Sequence, residues 1–142
     1  MEIGVDIVEI DRIKKAVNNE NFIRKIFTKE EINSIKQKKG ESLYRHVAGR
    51  FAAKEAVSKV LGTGIGFFRW KDIEILPDKF GKPVVRLYGK ALELAESRGF
   101  TRLLVSISHC RDYAVAFSMA EGGVKDESGK SFDDEADRQE GH

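Results

Sequence analysis

The sequence predicts an α+β fold, a small and mostly antiparallel sheet built around one long central helix. Three observations predict it: an alternating apolar run at the start, one long glycine-poor stretch with helical apolar spacing, and two pairs of short strand-like runs joined by turn residues. In the opening run Ile3, Val5 and Ile7 alternate with Gly4, Asp6 and Val8. That period of two predicts a strand with Ile3, Val5 and Ile7 in the core and Asp6 on the opposite face. Residues 11–27 place Ile13, Val17, Ile23, Ile26 and Phe27 among charged residues, which predicts two short helices broken at Asn18-Asn19. Thr28 with Glu31 three residues on reads as a capping box, opening a helix that runs to about Gln37.

From about Ser42 to Leu61 only Gly49 interrupts a run whose stripe is Val47, Phe51, Ala52, Ala56, Val57, Val60 and Leu61, and this is the central helix. It stops at Gly62, because three glycines in Gly62-Thr63-Gly64-Ile65-Gly66 cost too much backbone entropy inside an element. Strands follow at Asp72 to Leu76 and Pro83 to Leu87, joined by the turn-rich 77–82. Gly89 to Arg98 forms a helix closed by Gly99. Leu103 to Ser108 and Tyr113 to Met119 form a hairpin across His109-Cys110-Arg111-Asp112.

The chain has 142 residues, 41% of them hydrophobic, which suits one domain with a modest core. The net charge of +2 hides an asymmetry: residues 1–120 carry 22 basic and 15 acidic side chains, residues 121–142 three and eight. The expectation is a folded domain over 1–120 and an acidic, disordered tail over 121–142. A basic body favours anionic partners, namely nucleic acid, phosphorylated cofactors or an acidic protein. The single Cys110 has no disulfide partner within the chain, and there is no leader-like start and no apolar run of membrane-spanning length. A cytoplasmic location is therefore expected.

Two acids stand out, Asp6 among Val and Ile and Glu55 in Phe51-Ala52-Ala53-Lys54-Glu55-Ala56-Val57-Ser58-Lys59. A strand-borne Asp in apolar company needs a cation, either a side-chain partner or a hard divalent ion shared with phosphate oxygens. Glu55 with Lys59 is also the spacing of an ordinary solvated pair. Helical geometry puts Phe51, Glu55, Ser58 and Lys59 on one side, with Arg50 and Lys54 on a neighbouring strip, so acid, hydroxyl and ammonium are expected to line one groove. The glycine loop would let backbone N–H groups approach a phosphate, although Gly-x-Gly-x-Gly alone is weak evidence and no Walker pattern follows. His109, at a strand end, carries little by itself. Neither a Cys/His zinc spacing nor a serine-hydrolase elbow is present.

Together, Gly4-Val5-Asp6-Ile7, the stretch Gly49-Arg50-Phe51-Ala52-Ala53-Lys54-Glu55-Ala56 to Lys59, Gly62 to Gly66 and Ser106-Ile107-Ser108-His109 resemble the bacterial holo-acyl-carrier-protein synthase family. The resemblance covers about residues 3–119 and is supported by Arg12, Thr28 and Gly81-Lys82-Pro83. It implies the 4'-phosphopantetheinyl transferase fold and transfer of the pantetheine arm of coenzyme A to a serine of an apo-acyl carrier protein. Asp6 and Glu55 then match Mg2+ ligands, and Lys59 matches the lysine facing the pyrophosphate. The base is Glu55 or a water on the metal. Arg50 and His109 match positions holding the 3'-phosphate, and Gly62, Gly64, Gly66, Lys82 and Pro83 the region around adenine and ribose. A homotrimer with sites at subunit interfaces is also implied. Cys110 departs from the small hydroxyl residue expected after the histidine, and the acidic tail lies outside the pattern.

Carrier proteins are acidic around their serine, and Arg12, Lys14, Lys15, Arg24 and Lys25 with Phe22 and Ile26 offer a docking face. Two rival readings stay open. A nucleic-acid-binding module would use Phe67, Phe68 and Trp70 beside Arg69 and Lys71 for stacking, and a coenzyme A binding scaffold would keep the fold without catalysis. The resemblance implies neither nucleic acid nor membrane as a partner.

Overall fold

The structure is a computed structural model that describes residues 1–62 and 66–122. The expected disorder of the tail beyond Gly122, and Gly64 with its neighbours Thr63 and Ile65, lie outside the described residues. The elements, in chain order, are β1 (Glu2–Glu9), α1 (Ile10–Ala16), α2 (Glu20–Ile26), α3 (Lys29–Lys36), α4 (Gly40–Leu61), a 3-10 turn (Trp70–Asp72), β2 (Ile73–Pro77), β3 (Pro83–Leu87), α5 (Gly89–Ser97), β4 (Phe100–His109) and β5 (Tyr113–Gly122). The last strand thus runs two residues past the expected boundary at 120. All strand pairing is antiparallel and falls into two sheets, one ordered β1-β5-β4 and a β2-β3 hairpin.

Local chemistry explains most of the boundaries. Asn19 breaks the first helical stretch and caps α2, its side chain accepting from the Asn21 N–H at 2.9 Å. The Thr28–Glu31 capping box forms as its spacing predicts. Gly62 ends α4 in the left-handed region, φ 90°, and Arg98 Nη1 donates to the last carbonyls, Val60 O at 3.1 Å and Leu61 O at 2.6 Å. Asp78 holds the β2-β3 turn by accepting from the Phe80 and Lys82 N–H groups.

The core lies between α4 and the three-stranded sheet, and here the opening strand departs from expectation. The alternation in β1 is real but its faces are reversed: Gly4, Asp6 and Val8 face α4, while Ile3, Val5 and Ile7 are 62%, 53% and 62% exposed. The reason is steric. Helix α4 offers Ala48, Gly49, Ala52, Ala53 and Ala56, and the sheet answers with Gly4, Ala114, Ala116, Ser118 and Ala120, all buried. Small residues on both sides bring the layers close and leave the bulky face outside. The helix crosses the sheet diagonally, since a Cβ on Gly49 would meet Ile107 of β4 and one on Gly4 would meet the Ala56 carbonyl.

On its other side α4 covers a buried polar network. Lys54, expected with Arg50 on a strip next to the groove, is fully buried, 2.7 Å from Glu31 Oε1, and donates to the carbonyls of Trp70 at 3.2 Å and Ile73. Glu31 Oε2 accepts from the Ile75 N–H at 3.0 Å, so one carboxylate ties α3, α4 and β2 together. Burial pushes the Lys54 ammonium down, and the Glu31 carboxylate opposes this. The aromatic trio is split: Phe68 is buried, Trp70 stacks on Phe51 at 5.4 Å, and Phe67 is exposed. A continuous stacking surface for nucleic acid is therefore not formed by these three.

His46 lies against α3 with Nε2 3.5 Å from Ser34 Oγ. Burial first, then the charges of Arg50 and Lys38, push its imidazole down to about 4. A base with a depressed folded-state pKa binds fewer protons folded than unfolded, so the stability it supports is complete above about 6.5 and lost as pH falls toward 4. Thermal melts from pH 7 to 4 are expected to fall more steeply for the wild type than for His46→Gln.

Candidate functional site

Strand β1 and helix α4 bring Asp6 together with Glu55 and Lys59, which lie 49 and 53 positions further along the sequence. Asp6 points toward α4 rather than away from the core, and its side chain is only 12% exposed. Lys59, 55% exposed, reaches back over β1, with Nζ 3.1 Å from Asp6 Oδ1 and donating to Val5 O at 2.9 Å. The intrahelical Glu55–Lys59 pair that the spacing allowed gives way to this cross-element pair.

The ion pair satisfies one oxygen of Asp6 and leaves the other. Asp6 Oδ2 is buried with no hydrogen-bond partner, and the group that faces it is another acid. Burial first, then the adjoining Asp6 carboxylate, push the Glu55 carboxyl up to about 7, against the pull of Lys59 and Arg12. Two facing carboxylates have acceptors on both sides, so Oδ2 gains a donor only when Glu55 is protonated. A divalent cation between them fits this donor set, because it offers Oδ2 a partner and both acids a shared positive charge. Two carboxylates with phosphate oxygens and water suit Mg2+ in particular. No group of three or more His, Cys, Asp or Glu that could hold a metal occurs among the described residues, so such an ion would depend on substrate oxygens to fill its shell.

Ser58 does not join the groove: its hydroxyl turns back into the helix and donates to Glu55 O at 2.7 Å. Phe51 packs inward between Phe22, at 5.9 Å, and Trp70. Arg50 lies five residues before Glu55, about 140° around the axis, and its Nε is buried without a partner. Burial pushes this guanidinium down and the Glu31 charge opposes that.

The candidate nucleotide-holding residues do not gather in one place within the chain: Arg50 is on α4 near Glu31 and His46, and His109 ends the opposite edge strand, β4. In the paired register Asp6, Ala116 and Ile107 form one row and Val8, Ala114 and His109 another, so the Asp6 and His109 Cα atoms are about 12 Å apart across the width of the sheet. His109 is exposed at the end of β4. Lys82 and Pro83 flank an apolar cleft of about 550 Å³ between β3 and β4. Gly62 and Gly66 lie at the far end of α4, beyond Lys59. A single chain thus assembles the acids and Lys59, and carries Arg50, His109, Lys82 and Pro83 elsewhere.

The docking candidates form a basic surface on α1 and α2. Arg12, Lys15, Arg24 and Lys25 are exposed, Phe22 is half-buried, and Lys14 is tied to Glu41 at 2.8 Å. Arg12 also stands near enough to Glu55 to be felt by it. Sequence reasoning missed Gly4, whose only signal was its place two residues before Asp6, and Arg98, which has no motif around it.

Residues 2–118 match the family model described as the 4'-phosphopantetheinyl transferase superfamily. The chain is 46% identical over 134 residues to a holo-[acyl-carrier-protein] synthase of a Thermoanaerobacter species, covering 94% of this chain and 96% of the relative. It is 51% identical over 122 residues to the protein of the same name from Ruminiclostridium cellulolyticum, covering 84% and 90%. Among solved structures it is similar to the Bacillus anthracis synthase in complex with CoA (3',5'-ADP), with TM-score 0.72, 40% identity and coverage of 85% and 96%. It is likewise similar to the Helicobacter pylori synthase in complex with coenzyme A, with TM-score 0.73, 33% identity and coverage of 84% and 99%.

Proposed function

The chain belongs to the 4'-phosphopantetheinyl transferase superfamily, and from that premise we propose that Asp6, Glu55 and Lys59 are the centre at which it works. It is a holo-[acyl-carrier-protein] synthase, a transferase acting on coenzyme A. The phosphopantetheinyl acceptor is an acidic apo-acyl carrier protein, modified on a serine, and the metal is Mg2+. The observation that carries the site assignment is the buried Asp6 Oδ2 left unpartnered against Glu55.

The carrier's serine oxygen forms a bond to the β-phosphorus of coenzyme A while the bond to the departing 3',5'-ADP oxygen breaks. Glu55, or a water beside it, takes the serine proton, and Lys59 offsets charge on the departing 3',5'-ADP or protonates it. A bound Mg2+ would supply charge neutralisation on the phosphate oxygens. Arg50 and His109 bind the 3'-phosphate through charge-assisted contacts, and Lys82, Pro83, Gly62 and Gly66 border the nucleoside. Incubation with coenzyme A, Mg2+ and an apo-carrier is expected to add one phosphopantetheine to the carrier's mass; no mass gain would refute the reading.

The exposed Ile3, Val5, Ile7 and Phe117 support a homotrimer. They lie with Val115 and Met119 on one sheet face, Val5 directly opposite Phe117, and a contiguous apolar face of this kind marks an association surface. Packing of this face on a neighbour is the arrangement by which Arg50 and His109 of one copy would complete the Asp6–Glu55 pair of the next. Phe117→Asp is expected to sediment as a folded monomer without transferase activity. A fully active monomer would refute the shared site.

The basic α1-α2 surface is the carrier's dock. Because Arg12 also acts on Glu55, the cleaner test is the double variant Arg24→Glu, Lys25→Glu. It is expected to weaken carrier binding about tenfold or more at low salt, with coenzyme A binding within about twofold; calorimetry showing equal loss of both would refute a docking role. No helix among the described residues is long and apolar enough to cross a membrane, and a cytoplasmic enzyme fits its single exposed thiol, Cys110.

A further inference from the structure

We propose that Gly4 is a positioning residue whose missing side chain sets the Asp6–Glu55 separation that a shared divalent cation requires. The inference rests on the metal assignment above. A Cβ at Gly4 would lie 2.3 Å from Ala56 O, 3.1 Å from Val60 Cγ2 and 3.2 Å from Lys59 Cβ. These three atoms belong to the turn of α4 that carries Glu55 and Lys59, and Asp6 is only two residues along β1. The strand is therefore seated on the helix at the point where the acids meet.

Backbone conformation does not demand glycine here, since Gly4 is not among the glycines with positive φ. Glycine also weakens a strand interior. What demands it is proximity to a backbone carbonyl within a helix, which cannot rotate away as a side chain can. An alanine would have to open the gap from 2.3 Å to at least 3.0 Å. Metal–oxygen distances tolerate about 0.2 Å, and Mg2+ holds closely to octahedral geometry. A displacement several times that tolerance, acting on one ligand and not the other, opens the clasp while leaving the strand paired to β5.

Gly49 provides the matched control. It lies on the same helix–sheet seam, but its Cβ would meet the end of a flexible side chain, Ile107 Cγ2 at 2.9 Å, on the strand that carries neither acid. Mn2+ binding to the full-length chain with coenzyme A present at saturation, followed by the loss of the free-ion paramagnetic resonance signal beyond that of coenzyme A alone, reads the clasp without reference to turnover. Gly4→Ala is expected to weaken Mn2+ binding about tenfold or more with an unchanged circular dichroism spectrum, and Gly49→Ala to stay within about twofold. A folded Gly4→Ala with wild-type Mn2+ affinity, or an equal loss in Gly49→Ala, overturns the proposal. Should Gly4→Ala fail to fold, Val60→Leu applies a milder wedge at the same contact; weakened Mn2+ binding supports the proposal and unchanged binding overturns it. Asp6→Asn separates the two layers of inference. If it binds Mn2+ as the wild type does, the metal assignment fails and this proposal with it; if it alone loses Mn2+, only the role of Gly4 falls.

Discussion

Asp6→Asn is expected to lower the rate of phosphopantetheinyl transfer by about 10²–10³-fold while leaving the fold intact. The substitution keeps size and shape but removes the charge that pairs with Lys59 Nζ at 3.1 Å and leaves Oδ2 facing Glu55. Both proposed roles concern charge at the phosphate oxygens, so the loss should fall mainly on kcat, with carrier KM little changed because the proposed α2 part of the dock, Arg24 and Lys25, lies apart from Asp6. Glu55→Gln should behave likewise. Transfer assays at saturating coenzyme A and carrier check this, and a wild-type kcat in either variant would remove the acid pair from the mechanism.

Lys54→Met is expected to cost about 3–5 kcal/mol of stability, the cost of leaving a buried charge without its partner. Glu31 would retain the N–H groups of Thr28 and Ile75 as donors, but lose the ammonium 2.7 Å away. Removing both charges in Lys54→Met, Glu31→Gln should recover part of the loss, since a neutral amide needs no counter-charge there. Urea denaturation of the two variants measures both effects. If the single variant fell by less than about 1 kcal/mol, the pair would not be holding α3, α4 and β2 together.

The limits of what could be read from sequence follow from the same contacts. Elements whose ends are set by local chemistry were legible: the Thr28–Glu31 box, the Asn18-Asn19 break, the Gly62 stop and the Gly99 stop all depend on residues within a turn of one another. Alternation in β1 was legible too, but not which face is buried, because that choice depends on a helix some fifty residues away and on how closely Gly and Ala let it approach. Lys54 illustrates the point at the site. It stands in the same motif as Glu55, yet its role is set by Glu31 and two carbonyls on another element, and no periodicity of α4 could reveal that. The acids and Lys59 were found through a family pattern, whereas their mutual geometry, with Lys59 on Asp6 rather than on Glu55, needed β1 placed on α4.

The separation of Asp6 from His109 across the width of the sheet, taken with the proposed site shared between copies, has a consequence for how the enzyme would respond to its own substrate. Coenzyme A held by the acids of one copy and by Arg50 and His109 of another would act as a molecular glue, binding the assembly more tightly than the separated copies. By reciprocity, the assembly would bind coenzyme A more tightly than a lone copy does. Dilution would then silence the protein without unfolding it, and a rising supply of coenzyme A would call the active form back together.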